Sequence, residues 1–220
     1  MNADSTYPVS AAANAASLAR YYRFHSRIYN ATRWSFLFGR SSLLGELPET
    51  FAPRSILEIG CGTGVILDAA ARRFPRATLI GLDLSDSMLG VAERTVRAHG
   101  SRVRLVRRAY AMPSAAALGV RGGFDLIVTS YALSMFGGGA EAAIVSAHND
   151  LSQRGRFIAV DFHDTPLRSF ERWMGVNHVR MSGQLLPMLE RTFAMERVEV
   201  RRAYRGLWRY FVCTGTRRGQ

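Results

Sequence analysis

The chain has no lysine. All 29 of its basic residues are arginine, set against 17 acids, for a formal charge of +12. A GC-rich genome favours arginine over lysine, but such a bias does not explain the excess over acids. Net charge bears on solubility and on attraction to anionic partners such as phospholipid or nucleic acid, and leaves the fold open. Cysteine is equally scarce. Cys61 lies in a glycine loop and Cys213 in a strand-like run, a poor pair for a structural disulfide. That pattern suits a reducing, cytoplasmic setting. Long apolar runs are missing too, and none approaches the roughly 18 residues of a membrane-spanning helix. The Ala-rich start lacks the basic leader and apolar core of a signal peptide and reads as a tail over residues 1–16.

What is present is a chain of 220 residues, 48% hydrophobic and 21% charged, the size of one α/β domain with an appendage. From residue 55 onward, short apolar runs alternate with helical patterns. The expected strands are 55–60, 77–83, 102–108, 124–130 and 155–162. Helices are expected over 65–74, 85–99 and about 140–151. Strands alternating with helices of 10–15 residues indicate a parallel sheet covered on both faces. The end differs: "FAMERVEVRRAY" and "LWRYFVCTGTRR" alternate with period two around Arg205-Gly206, an antiparallel pair at the sheet edge. Residues 17–47 form a helical appendage, and 48–220 the main domain.

"LEIGCGTG" carries the most chemistry. A strand closes at Ile59, and Gly60, Gly62 and Gly64 precede a helix, so a ligand can approach bare backbone and a helix N-terminus. The dinucleotide version of this loop needs a small residue where the chain has Val65, which disfavours NAD and FAD. Asp83 closes the second strand, placed to take both hydroxyls of a ribose.

These residues resemble the class I S-adenosylmethionine-dependent methyltransferases over about 53–210. The family's E-x-G-x-G-x-G pattern falls on Glu58, Gly60, Gly62 and Gly64, with Asp83 as the acid after strand two. The resemblance implies a Rossmann-like, seven-stranded, mostly parallel sheet with an N-terminal helical lid, and S-adenosylmethionine as cofactor. It implies that the loop, Cys61 included, lines the methionine and ribose portions, that Asp83 with Leu84 holds the ribose side, that Met88 packs on adenine, and that Ser130 also binds the cofactor. Where the family often has an acid for the adenine amino group, the chain has Arg108, Ala109 and Tyr110, leaving backbone groups to hold the base. No metal is expected.

Nucleobase amine methylases commonly carry an Asx-Pro-Pro-aromatic turn after strand four. "TSYALSMF" has no proline, which argues against a flipped base. This stretch, "VDFHD" and "RIYNATRWSFLFGR" resemble the bacterial lipid head-group N-methyltransferases that make diacylglyceryl-trimethylhomoserine or methylate phosphatidylethanolamine, although Asn30 replaces that group's Asp. The resemblance implies an amine-bearing lipid or small-molecule substrate, and peripheral contact with an anionic membrane at its inner face. A soluble acceptor with nitrogen or oxygen as nucleophile is the alternative, and nucleic acid is disfavoured. Catalytic candidates stand at the ends of strands four and five: Tyr131, Asp161 and His163, with Asp164 beside them. In the leader, Arg20, Arg23 and Arg27 share one helical face, and Tyr22 and Tyr29 would line the cofactor pocket.

Overall fold

The computed structural model describes residues 36–219. Tyr22, Tyr29, the tail and most of the expected lid therefore lie outside the described residues. A seven-stranded sheet has the order β3-β2-β1-β4-β5-β7-β6. Its strands are β1 (Ser55–Ile59), β2 (Thr78–Asp83), β3 (Val103–Arg107), β4 (Phe124–Ser130), β5 (Leu151–Phe162), β6 (Phe193–Ala203) and β7 (Trp208–Arg217). The first five pair in parallel, and β7 runs antiparallel to both β5 and β6. The architecture is Rossmann-like, as the sequence pattern suggests.

Helices cover both faces because the central strands are apolar on both sides. On one side, Ile56, Leu79 and Val128 meet Ile66, Leu67 and Ala70 of α1 (Val65–Arg73) and Met88 and Leu89 of α2 (Asp86–Val96). On the other, Leu57, Ile59, Ile127 and Phe157 meet Ala143 and Ile144 of α3 (Ala140–Asp150) and Leu186 and Leu189 of α5 (Leu185–Thr192). A short helix, α4 (Arg168–Val176), lies between β5 and α5 in the chain. No helix among the described residues is long and apolar enough to cross a membrane.

Several boundaries moved. Ser85 is the N-cap of α2, its hydroxyl accepting from the Met88 N–H, and the helix gives way after Val96 to a 3-10 stretch around Gly100. β5 begins directly at the end of α3, four residues before the expected Gly155. At Gly155 a Cβ would stand 2.6 Å from the Phe124 carbonyl oxygen, so only glycine fits there. Neither α4 nor α5 is visible in the sequence pattern.

The terminal hairpin also enters the sheet in reverse. The last strand, β7, is buried along nearly its whole length and takes the inner position, while the Glu- and Arg-rich β6 forms the edge. The more apolar strand gains more by being covered, and a charged edge resists pairing with other chains. Strand order reverses between β1 and β4, the place where sheets of this kind open a crevice at the strands' carboxyl ends.

Candidate active site

A cleft of about 930 Å³ opens at that reversal. One wall is the turn from β1 into α1. Gly62 has φ +54 and nothing within 4 Å of a notional Cβ, so its bare face opens on the cleft. Gly60 is needed for another reason: a Cβ there would meet the Ala132 Cβ at 2.5 Å, and the turn presses directly on the loop after β4. Gly64 packs against Ala92 of α2, and Cys61 is buried beside Gly81. These last two of the expected cofactor residues support the turn from behind and are absent from the cleft lining. Burial pushes the Cys61 thiol well above its ordinary range.

Asp83 lines the cleft from the end of β2. One carboxylate oxygen accepts the Gly62 N–H at 2.8 Å and the other the Ser85 N–H at 2.9 Å. Both bonds hold the acid in a set orientation toward the turn. Leu84 and the buried Met88 continue this wall to Ala109, Tyr110 and Ala111. The loop after β3, which lacks the acid, is held from behind by another one. Asp150, at the end of α3, accepts from the Tyr110 hydroxyl at 2.8 Å and from the N–H groups of Ser114 and Ala115. It pins the loop that follows Ala109, Tyr110 and Ala111 on the cleft wall.

The opposite end is formed by Ser130, Tyr131, Ala132, Met135 and Phe136. Tyr131 has φ +54, unusual for a bulky residue and a mark of local strain. Its ring packs edge-on against Phe162 at 4.7 Å, and its hydroxyl donates to the Phe38 carbonyl at 2.7 Å. Asp161 is fully buried behind this loop. It accepts from the N–H groups of Ser134 and Phe162, and burial raises its carboxyl to about 6. His163 faces Phe211 edge-on, and Asp164 pairs with Arg209. Of the expected catalytic residues only Tyr131 lines the cleft; Asp161, His163 and Asp164 do not.

The described end of the expected 17–47 appendage is a strap of turns and one 3-10 helix over residues 36–47, and the sequence reading named none of its residues as lining the cleft. Leu37, Arg40, Ser41 and Leu44 line the cleft. Tyr131 holds the strap at Phe38, and Glu46 anchors its far end through Arg197 at 2.6 Å and Arg201 at 3.1 Å on β6. Arg40 carries a buried Nε without a hydrogen-bond partner, and both oxygens of Glu58 are likewise buried and unpartnered. Burial, opposed in part by the Arg40 charge, raises the Glu58 carboxyl to about 8. Only Glu58 had a sequence signal, its place in the glycine motif.

Comparison with known proteins agrees with this geometry. Residues 56–155 match the model of a methyltransferase domain family. A demethylmenaquinone methyltransferase of Thermus thermophilus is 29% identical over 120 residues, covering 54% of this chain and 52% of that one. The chain thus spans about half of that relative's length. Among solved structures, the N-methyltransferase NodS of Bradyrhizobium japonicum in complex with S-adenosyl-L-homocysteine superposes with a TM-score of 0.65 at 17% identity, over 94% of this chain and 99% of that one. A phospholethanolamine N-methyltransferase of Haemonchus contortus gives 0.69 at 16%, over 92% and 60%. At such identities these two likenesses are of fold. The glycine turn and Asp83 lie inside the matched stretch. Over residues 56–155 the chain is therefore similar to a methyltransferase domain, set in a fold shared with solved methyltransferases.

Proposed function

We propose that the chain transfers a methyl group from S-adenosylmethionine to an amine on a lipid head group. The transfer itself rests on the Gly62–Asp83 cradle. Asp83 would take the ribose hydroxyls, the Gly62 backbone the tail side, and Met88 with Leu84 the adenine. The cofactor supplies an electrophilic methyl on a sulfonium.

The chain's own work is alignment and exclusion of water. Leu37, Leu44, Met135 and Phe136 give the cleft apolar walls. An ammonium entering such walls loses hydration, and desolvation lowers its pKa toward the neutral amine that can attack. The Tyr131 hydroxyl is committed as a donor to Phe38, and burial raises its pKa, so it is no base. Its ring is the useful part, since an aromatic face stabilises the cationic product. Asp68, the other carboxylate on the lining, is bonded to Arg72 and His99, so the departing proton passes to solvent. Neither His163 nor Asp161 lines the cleft, and Asp161 enters as a support of the loop after β4.

One observation favours a lipid over a soluble acceptor. α4 leaves Trp173 and Val176 exposed, 51% and 79%, with Leu167 just ahead of it and Arg168 and Arg172 on its surface. Trp173 packs on Phe36 at 6.3 Å, next to Leu37 in the cleft. An apolar and basic face at the strap suits an anionic bilayer, at about 1 kcal/mol per arginine near the surface. The test is incubation with labelled S-adenosylmethionine and vesicles of phosphatidylethanolamine and phosphatidylglycerol, against soluble amines and carboxylates. Label in lipid, with salt-sensitive vesicle binding, is expected. Label confined to the soluble compounds would favour the small-molecule reading instead.

A further inference from the structure

The β6–β7 hairpin ends in a turn that the reading above leaves without a task. Tyr204, Arg205 and Gly206 follow one another at φ +45, +59 and +101. Only the glycine takes such a conformation without cost, so two residues with side chains hold a strained turn. In that turn the Tyr204 ring lies 5.3 Å from Phe38 of the strap and 5.0 Å from Trp208. Tyr204 is still 52% exposed and Phe38 36%. Trp208 also stacks on Phe170, which in turn stacks on the exposed Trp173 of α4 at 5.7 Å. The hairpin tip, the strap and α4 are therefore neighbours around one buried ring. Leu37, next to Phe38, lines the cleft.

Charge around this ring is one-sided. α4 holds Arg168 and Arg172, residues 202–209 hold Arg202, Arg205 and Arg209, and Glu171 is the one acid in the two segments. Asp164 pairs with Arg209, and Arg202 stands opposite Arg209 in the ladder. Like charges placed opposite each other cost stability, and an anionic partner relieves that cost. A second copy of the chain would set the same arginines against these and be repelled. A tyrosine among arginines suits the head-group level of an anionic bilayer. We propose that the hairpin tip is a second membrane anchor beside α4, which sets Phe38, and with it the strap edge of the cleft, at the lipid head groups. This inference rests on the lipid reading above and adds to it a surface from near the end of the chain.

The test is co-sedimentation of the full chain with vesicles of phosphatidylcholine, alone or mixed with phosphatidylglycerol. Arg205→Asn removes one charge and keeps the turn, because asparagine tolerates positive φ. It should weaken binding to the anionic vesicles about fivefold, and Arg202→Gln with Arg205→Asn about twentyfold. Affinity for S-adenosylhomocysteine should stay unchanged in both. A tryptophan placed at the tip by Tyr204→Trp should be quenched by vesicles with brominated acyl chains, beyond the quenching of the wild type. Anionic-vesicle binding that survives both tip variants but falls with Arg168→Gln and Arg172→Gln would leave α4 as the sole anchor. That result overturns the proposal while the lipid reading stands, as does binding unchanged in every variant. Loss of self-association in place of vesicle binding would assign the face to a second copy and overturn it as well. Wild-type protein that ignores anionic vesicles overturns this proposal and the lipid reading together, and label transferred to soluble acceptors would then show that the methyltransferase reading survives them.

Discussion

The two ends of the cleft are built in opposite ways. The end proposed for the cofactor comes from one continuous stretch, 58–88, in which the Gly62–Asp83 bond closes over 21 residues. Its groups are mostly backbone, and a turn, a strand end and a helix cap suffice to aim them. The end proposed for the acceptor is assembled from afar. Tyr131 meets Phe38 across 93 residues, and Arg201 of the edge strand meets Glu46 across 155. A binding surface of local backbone shows in residue spacing, whereas one made by long-range packing has no spacing to show.

Four perturbations sharpen this contrast. The largest effect falls on the long-range side. Trp208 is fully buried, with Phe36, Phe170 and Tyr204 at ring distances of 5.3, 5.5 and 5.0 Å. Trp208→Ala should cost about 3–5 kcal/mol of stability, read by urea unfolding. A loss below 1 kcal/mol would mean that this aromatic group does not organise the strap.

On the local side, Asp83→Ala removes the charged acceptor of two backbone N–H groups and of the ribose. Affinity for S-adenosylhomocysteine should drop about a hundredfold, near 2.7 kcal/mol. An unchanged affinity would contradict the cradle.

The third concerns Glu58, whose carboxyl is raised from 4.5 to about 8 by burial. The folded state therefore holds a proton that the unfolded chain has released, and stability falls as pH rises through this window. The slope is up to about 1.4 kcal/mol per pH unit. Asp161, raised from 3.8 to about 6, acts with the same sign over the lower part. Glu58→Gln should flatten the curve between pH 6 and 8 and leave the lower step. A wild-type curve that rises across pH 6–8 would disprove the assignment.

The smallest effect is expected from Tyr131→Phe. It keeps the ring and removes one hydrogen bond, about 1 kcal/mol. Amide exchange over 36–44 should speed up while methylthioadenosine affinity holds. Equal protection in both proteins would show that the strap does not depend on that hydroxyl.

The residues that could be read in advance share one property. Glu58, Gly60, Gly62, Asp83 and Met88 owe their places to neighbours in sequence, and Gly62, Asp83 and Met88 line the cleft as expected. Cys61 and Gly64 belong to the same motif, yet they face the core, Cys61 against Gly81 and Gly64 against Ala92. His163 and Asp164 follow Asp161 at the end of β5, and proximity to a strand end suggested that they reach the cleft. The chain turns away there, since the backbone N–H of His163 bonds the Arg209 carbonyl and Asp164 pairs with Arg209. Arg40 had no signal at all: an arginine after a glycine in a basic leader looks like any solvated one.

The amino-acid sequence alone determined the alternation of strand and helix, the glycine turn with its acid, and so the cofactor class. Those features follow from hydrophobic period and from the conformations single residues allow, both of which act within a few positions. Tertiary structure decided that the last strand enters before its predecessor, that Asp150 serves the loop after β3, and that a strap from the leader closes the cleft with Arg40. Each depends on which distant surfaces bury the most apolar area together, a competition settled only when the whole sheet has assembled.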